Sequence, residues 1–306
     1  MIRLLRSEWL TFRSRKIVRW LIVLSVIGIA VVGIIAGSVS HKPTAAQLTR
    51  AQRRYEKSIA ACIKRGEVNR DTPAGTSVED FCRQHLSEAD FLGNSGLRLD
   101  DLDELVLAAA FIAVLIGLVI GASMVGASWQ SGTITTTLTW EPRRIRWFLG
   151  RLLVIAVGVT LVAAFLLAAL AAALAIATAL RGTTATSTPW LRDTGLTIMR
   201  IGAAAGGMAV IGAAVAMVGR HTAAALGAVF VYVAVLESIV RGLRPAMGRF
   251  LIGDNLTTVI TAHTLNVQQG DTSYLLTPQR GAVVLGIYVV VLAGAALVVL
   301  RARDVN

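Results

Sequence analysis

Long apolar runs separated by short polar or basic stretches are the dominant pattern along the chain. A helix needs about 18 or more apolar residues to cross the hydrocarbon of a bilayer, and charge-free runs of that length occupy residues 20–39, 105–128, 152–180, 201–218 and 281–300. A shorter run, 222–236, reaches that length only by including Glu237. The pattern predicts an all-α polytopic membrane protein with six transmembrane helices, at residues 17–39, 105–128, 152–180, 196–218, 222–240 and 282–300.

The first 16 residues carry a helical pattern of their own. Apolar side chains recur there at the three-and-four spacing of one helical face, at Ile2, Leu5, Trp9 and Phe12. Arginines surround this stripe, as is typical of a helix that lies in the plane of the inner leaflet. A basic topology signal alone would explain the arginines but not the stripe, so we predict an interfacial helix over residues 1–16.

A polar segment, residues 40–104, follows the first predicted span and contains both cysteines of the chain. Helix starts are indicated after Thr44 and Ser77. In an oxidising exterior Cys62 and Cys82 can pair, and a closed loop of about 20 residues would contribute on the order of 3 kcal/mol. Two free thiols are the alternative. The economical model is a helical outer loop stapled by a disulfide.

The segment 129–151, between the second and third spans, has the composition of a docking element. Residues 105–140 carry no charge, and small polar residues fill the end of this run. The run then breaks into a charged cluster made of Glu141, Pro142, Arg143, Arg144 and Arg146.

The remaining connections differ in length. Residues 250–262 are apolar but contain Gly253, Asp254 and Asn255, so this stretch is too short and polar to cross the bilayer. We predict outer or re-entrant helices across residues 241–281. The other connections are an outer loop at 181–195, a turn at 219–221 and a tail at 301–306.

The distribution of Lys and Arg predicts the orientation. With the N-terminus inside, the cytoplasmic segments hold 13 basic residues and the short outer loops hold six, as the positive-inside rule requires. Both termini are therefore predicted to be cytoplasmic. The net charge of +12 is explained by this topology and by anionic lipid, so no nucleic-acid partner is predicted.

Several kinds of catalytic site lack their residues in this sequence. None of the four lysines follows a glycine, which excludes the Gly-Lys-Ser/Thr phosphate-binding loop and an ATPase of that type. The four histidines lie in predicted loops without a second ligand at metal spacing. The acidic run at residues 100–104 is better explained by the helix dipole than by a metal. We predict no enzyme activity, cofactor or metal site in the chain itself.

Two ionisable residues, Arg200 and Glu237, fall inside predicted spans. Each lies about one turn from the outer end of its helix, and charges at such depth are usually paired or functional. They are predicted to form an outer gate pair. The alternative, equally supported by the sequence, is that Arg200 reaches the lipid interface while Glu237 binds Arg241 four residues on.

The order of these segments resembles the ABC-2 permeases, the membrane subunits of type V exporters. The resemblance covers nearly the whole chain and includes a signature after the second span: Gly132-Thr133, Leu138, Pro142-Arg143-Arg144 and Arg151. The ending Arg301-Ala302-Arg303 is similar as well. Arg outnumbers Lys 26 to 4, a composition typical of GC-rich bacteria such as actinobacteria.

The resemblance implies a function. It implies the permease subunit of an ATP-driven exporter in the bacterial plasma membrane, working as a dimer or with a related permease and moving a hydrophobic or amphipathic substrate outward, as in multidrug efflux. ATP and Mg²⁺ would bind a separate ATP-binding cassette subunit. The residues expected to couple this subunit to the bundle are Trp129, Gln130, Gly132, Thr133, Glu141, Pro142, Arg143, Arg144 and Arg146.

The sequence departs from the family at one position of this segment. Family members often carry Glu four residues before the Gly-Thr pair, where this chain has Ser128. If that Glu contacts the ATPase or the interfacial helix, Glu8 or Gln130 is expected to replace it. An alternative function from another class is a membrane scaffold or sensor whose outer loop binds a protein or peptide.

Overall fold

The computed structural model describes residues 2–39, 44–69, 77–86, 91, 99–140, 143–181, 188–269 and 272–302. The first half contains α1 Ile2–Ser14, α2 Lys16–Val39, α3 Ala45–Asn69, α4 Val78–His85, α5 Leu99–Gln130, α6 Thr133–Trp140 and α7 Arg144–Arg181. The second half contains α8 Thr188–Gly219, α9 Thr222–Val231, a π-helical segment Tyr232–Leu236, α10 Glu237–Leu243, a 3-10 helix Pro245–Phe250, α11 Ile252–Thr261, β1 Leu265–Gln269, β2 Thr272–Leu276 and α12 Pro278–Ala302.

Within these described residues, six helices are long and apolar enough to cross a membrane. The candidate spans are Lys16–Ile35, Leu105–Gln130, Arg144–Ala177, Leu191–Gly219, Thr222–Leu243 and Pro278–Ala302. The fifth runs continuously through α9, the π-helical segment and α10. The predicted class, an all-α polytopic membrane protein, is confirmed.

The chain divides into two compact units. Unit 1 comprises residues 1–29, 103–171 and 188–306, and unit 2 comprises residues 30–102 and 172–187. Unit 1 contains α1, α6 and α8–α12 with most of α5 and α7, unit 2 contains α3 and α4, and α2 is divided between them. The coupling and gate residues predicted from the sequence belong to unit 1, and the two cysteines belong to unit 2.

Helix α8 is the most buried span of unit 1. Glycines allow its neighbours α5 and α7 to approach it closely. Gly117 and Gly121 of α5 lie against the α8 backbone, where a Cβ on Gly117 would be 2.6 Å from the carbonyl oxygen of Ala205. On another side, a Cβ on Gly206 of α8 would be 2.8 Å from the carbonyl oxygen of Ala156 in α7. These glycines therefore allow the close backbone approach that drives helix association in lipid.

Unit 2 contains a helix pair joined by a disulfide. Gln47 caps the start of α3: its Oε1 accepts from the backbone N–H of Thr44 over 2.8 Å and from Thr44 Oγ1 over 3.1 Å. Cys62 of α3 and Cys82 of α4 are disulfide bonded, as the sequence predicts. Ile59 and Cys82 are buried here, so the staple lies within the small apolar contact of the pair.

The segment predicted as outer or re-entrant helices contains a β-hairpin in addition to helices. Strands β1 and β2 pair antiparallel, with Leu265 opposite Leu276 and Val267 opposite Tyr274. The prediction of helices alone was therefore incomplete. Alternation of apolar Leu265 and Val267 with polar neighbours has the period of two that marks a strand, but five residues are a short signal for it.

Candidate functional site

A buried polar cluster joins α1 to the start of α7. Glu8 and Arg151 are only 6% and 4% exposed. Trp147 Nε1 donates to Glu8 Oε1 over 3.0 Å, and Arg151 Nε lies 3.8 Å from Glu8 Oε2. The Arg151 guanidinium also lies over the Trp147 ring, 5.1 Å from its centroid. Glu8 therefore fixes the position of α1 through two residues of α7.

The end of α5 accepts hydrogen bonds from two arginines. Arg151 Nη2 donates to the carbonyl oxygen of Met124 over 2.6 Å and to Ser128 Oγ over 2.7 Å. Arg15, which lies between α1 and α2, donates to the carbonyl oxygen of Ser123 over 2.8 Å and to the same Ser128 Oγ over 2.7 Å. The last turns of a helix carry partial negative charge, so the end of α5 is a suitable acceptor for both cations.

The electrostatic balance of the cluster depends on Glu8. Two guanidiniums and one carboxylate meet there, which leaves one net positive charge against the α5 carbonyls. Burial, and secondarily the Arg151 guanidinium, lower the pKa of Arg15 to about 10, while Glu8 acts in the opposite direction. Arg15 therefore remains protonated at neutral pH, and Glu8 offsets the repulsion between the two arginines.

The apolar stripe of α1 packs on α7 and not on lipid alone. Leu4 packs beside Gly150 of α7, and the buried Phe12 packs beside Gly158. A Cβ on either glycine would collide with these side chains. Leu5 also packs against the core of unit 1. The prediction of a helix at residues 1–16 agrees with α1. Leu5 and Phe12 of its apolar stripe face the protein, whereas Trp9 is 38% exposed, and the position of α1 at the inner leaflet stays a prediction.

The segment between the second and third spans contains a short helix, α6. The chain turns after α5 at Gly132, whose φ is +66°, a conformation that favours glycine. Ile134 is buried and anchors α6 in the core of unit 1, whereas Thr133 and Thr136 are exposed. Helix α6 is therefore held on one side and presents polar residues on the other.

The predicted coupling residues lie in different environments. Gln130, Arg143 and Arg146 are exposed. Arg144 is half-buried, and its Nη1 donates to the carbonyl oxygen of Leu300 over 3.4 Å, so it binds the C-terminal end of α12. Glu141 and Pro142 lie outside the described residues.

Trp129 connects the same region to the turn between α8 and α9. Its Nε1 donates to Met217 Sδ over 3.2 Å, and the Arg220 guanidinium lies 4.6 Å from the centroid of its ring. We refer to this part of unit 1 as the α1 end: it contains α1, α6, the end of α5, the start of α7, the α8–α9 turn and the end of α12.

Comparison with known proteins identifies the family. The family described as ABC-2 membrane transporter related matches residues 34–244, which is more than half of the chain. The chain belongs to this family. No curated protein matches it by sequence. The match supports a transmembrane transporter subunit, and the segment from α5 to α7 described above lies inside the matched region.

Glu8 contributes a carboxylate to the polar cluster that contains Ser128. In this ABC-2 member the position expected to hold Glu is Ser128, whose Oγ bridges Arg15 and Arg151. The carboxylate that faces Arg151 comes from Glu8 of α1. Gln130, the other expected replacement, is exposed. Whether Glu8 takes over the role of that carboxylate stays a prediction. The contacts of Arg15 were not predicted because an arginine in a basic stretch before a span looks like a topology signal.

The structure does not bring Arg200 and Glu237 together. Arg200 Nη2 donates to the carbonyl oxygen of Ile260 over 3.2 Å, and so it caps the end of α11. The predicted pair is wrong for this structure, and the local alternative for Glu237, contact with Arg241, is the arrangement observed at 3.3 Å. In this structure both residues find partners on α11, Arg200 at the carbonyl oxygen of Ile260 and Glu237 at the backbone N–H of Gly253.

Glu237 links the fifth span to α11. It is 1% exposed, and its Oε1 accepts from the backbone N–H of Gly253 over 3.0 Å, in the first turn of α11. Arg241 bridges Glu237 to Asp254, whose Oδ1 is 2.9 Å away. Negative charge at a helix N-terminus is stabilising, so this group joins α10 to α11.

The polar groups described above do not include a cluster of metal ligands. Within the described residues, no three or more His, Cys, Asp and Glu side chains form a group able to hold a metal ion.

Proposed function

We propose that this chain is the permease subunit of an ATP-driven exporter, powered by separate ATP-binding cassette subunits that bind ATP and Mg²⁺. It works as a dimer or with a related permease, in a bacterial plasma membrane, with both termini cytoplasmic. Membership of the ABC-2 related family supports a transporter subunit, and the outward direction and the amphipathic substrate are part of the proposal.

The observation that carries the proposal is the construction of the α1 end. Arg143, just before α7, and Arg146, in its first turn, are exposed, while Ile134 of α6 and Arg144 of α7 connect the segment between the second and third spans to the bundle. A force applied to this segment would therefore reach the core through Ile134 and α12 through Arg144. Through Glu8 and Arg151 it would also reach α1.

An ATPase assay with the reconstituted complex tests this proposal. Arg143 and Arg146 are suited to an acidic partner surface, and each exposed ion pair contributes about 0 to 1 kcal/mol. The double change Arg143→Ala and Arg146→Ala should lower the coupling of ATP hydrolysis to export more than it lowers assembly. Arg144 is left intact because it binds α12.

Arg50 and Arg53 provide the matched control. Both are exposed on α3 of unit 2, so the change Arg50→Ala and Arg53→Ala removes the same charge from an element that carries no predicted coupling residue. Equal loss of coupling in the two double variants would mean that net charge matters and that α6 does not dock the ATPase. Normal ATPase stimulation and export in the Arg143 and Arg146 variant would remove this segment from the mechanism.

The disulfide-stapled pair α3 and α4 favours a second candidate, a membrane scaffold or sensor that binds a protein or peptide. Cys62 and Cys82 hold a separate folding unit together, and such a unit can recognise a partner without transport. ATP-dependent flux into inverted vesicles separates the two functions. Flux supports the exporter, and ATP hydrolysis without flux supports the sensor.

A further inference from the structure

A groove with a volume of about 600 Å³ lies between α1, α2 and α7. Its size falls within the range of roughly 300–1,000 Å³ that is usual for small-molecule sites. The walls are apolar and come from all three helices, with contributions from Trp9, Phe12, Val18, Ile22, Leu161 and Phe165. Trp9 and Phe12 stack with their ring centroids 5.8 Å apart and form one wall.

The groove opens toward the hydrocarbon of the membrane. Two of its walls belong to the candidate spans Lys16–Ile35 and Arg144–Ala177. Side chains lining it are exposed on the protein surface, with Val23 at 47%, Leu161 at 56% and Phe165 at 68%. Because these residues lie within membrane spans, an acyl chain is the occupant that their surroundings supply.

Two arginines border the same groove. Arg13 is in the last turn of α1 and Arg19 in the first turn of α2, and both line the groove. Arg19 Nε donates to the carbonyl oxygen of Arg13 over 3.1 Å, which holds the two residues together. Among the described residues no carboxylate lies within 4.0 Å of either guanidinium. Their charge therefore has no protein counterion there.

We propose that this groove binds one anionic phospholipid, with an acyl chain between α2 and α7 and the phosphate between Arg13 and Arg19. The apolar groove with two bordering arginines matches the shape and charge of such a lipid. Trp9 would lie at the level of the headgroup, where tryptophan is enriched in membrane proteins. A zwitterionic lipid carries no net charge to match the two arginines.

A lipid in the groove would stabilise the position of α1. Phe12 of α1 and Val18 of α2 both line the site, and Arg15 between them anchors the end of α5. An occupied groove therefore stabilises the arrangement of α1 that the Glu8 cluster requires. Lipid binding in this groove requires neither transport nor a particular direction of transport.

Native mass spectrometry from nanodiscs of phosphatidylcholine and phosphatidylglycerol tests the proposal. The wild-type protein should retain one phosphatidylglycerol in preference to phosphatidylcholine. The change Arg13→Gln and Arg19→Gln should reduce this preference by about 25-fold, because each basic residue near an anionic surface contributes about fivefold. The change Val23→Trp, which fills the groove and keeps both charges, should also abolish selective retention.

Matched variants give the results that would overturn the proposal. Arg3→Gln and Arg6→Gln remove two exposed charges from α1 outside the groove, and Ile27→Trp adds bulk to an exposed position of α2 outside it. Both should retain phosphatidylglycerol as the wild type does. Equal loss in the Arg3 and Arg6 variant would show diffuse attraction to the surface, and normal retention by Val23→Trp would show that no chain occupies the groove. If the Arg13 and Arg19 variant fails to fold in phosphatidylcholine, Val23→Trp decides alone.

Discussion

At the scale of single residues, Glu8 controls the charge balance where α1, α5 and α7 meet. Among the described residues it is the only carboxylate within 4.0 Å of Arg151, and it opposes the mutual repulsion of Arg15 and Arg151. We expect Glu8→Gln to lower the free energy of unfolding by about 3 kcal/mol, since removing one partner leaves buried charge uncompensated. Thermal unfolding in detergent measures this loss. The amide can still accept from Trp147, so the variant isolates the effect of charge.

A carboxylate at position 128 should restore part of the stability that Glu8→Gln loses. Its Oγ lies 2.7 Å from a nitrogen of both Arg15 and Arg151, so a carboxylate introduced there would face both cations. In the Glu8→Gln background, Ser128→Glu should recover part of the lost stability, whereas Ser128→Gln, of similar size but neutral, should not. Equal behaviour of the two second-site variants would mean that packing and not charge governs the cluster.

At the scale of elements, the group formed by Glu237, Arg241 and Asp254 connects α10 to α11. Residues in contact show coupling energies of about 0.5 to 3 kcal/mol, and independent residues add within about 0.5 kcal/mol. A stability cycle with Glu237→Gln and Arg241→Ala should be non-additive because these side chains bind each other. The cycle with Glu237→Gln and Arg200→Ala should be additive. Strong coupling in the second cycle would restore the gate pair that the structure does not contain.

Close packing of α5 on α8 predicts that an added methyl group at this contact destabilises the protein. A Cβ on Gly121 would overlap the carbonyl group of Ala209, whereas a Cβ on Gly286 of α12 meets nothing within 4 Å. Gly121→Ala should therefore cost about 1 to 3 kcal/mol through overpacking. Gly286→Ala should be neutral or stabilise the helix by up to about 1 kcal/mol. Equal melting temperatures for the two variants would contradict the observed α5–α8 contact.

At the scale of the whole molecule, the disulfide allows the proposed orientation to be tested. If Cys62 and Cys82 face an oxidising exterior, intact cells treated with a membrane-impermeant reductant should then bind an impermeant maleimide at both cysteines. Wild-type cells without reductant should bind none, because the two thiols are bonded. Labelling that requires cell lysis would reverse the proposed topology.

The spans and the family could be predicted from the sequence because both depend on local signals. Charge-free runs mark helices in lipid whatever their neighbours are, and the signature around Gly132 and Thr133 is contiguous. The disulfide could be predicted for a similar reason, because both cysteines lie in one polar segment.

The contacts of single charged residues could not be predicted in the same way. Arg15 lies in a basic stretch, and its bonds to Ser123 and Ser128 span more than 100 residues. Glu237 had Arg200 and Arg241 as candidate partners, and the choice depended on where α11 begins. Helical spacing also gave the correct face of α1 but could not distinguish a lipid surface from α7.

Photo-cross-linking from α6 tests most directly the central claim, that the α1 end docks the ATP-binding subunit. A photoreactive residue replacing Thr136, which is exposed on α6, should cross-link to that subunit in the reconstituted complex, and the same residue replacing exposed Leu275 on the hairpin should not. Cross-linking from position 275 but not from position 136 would contradict the account.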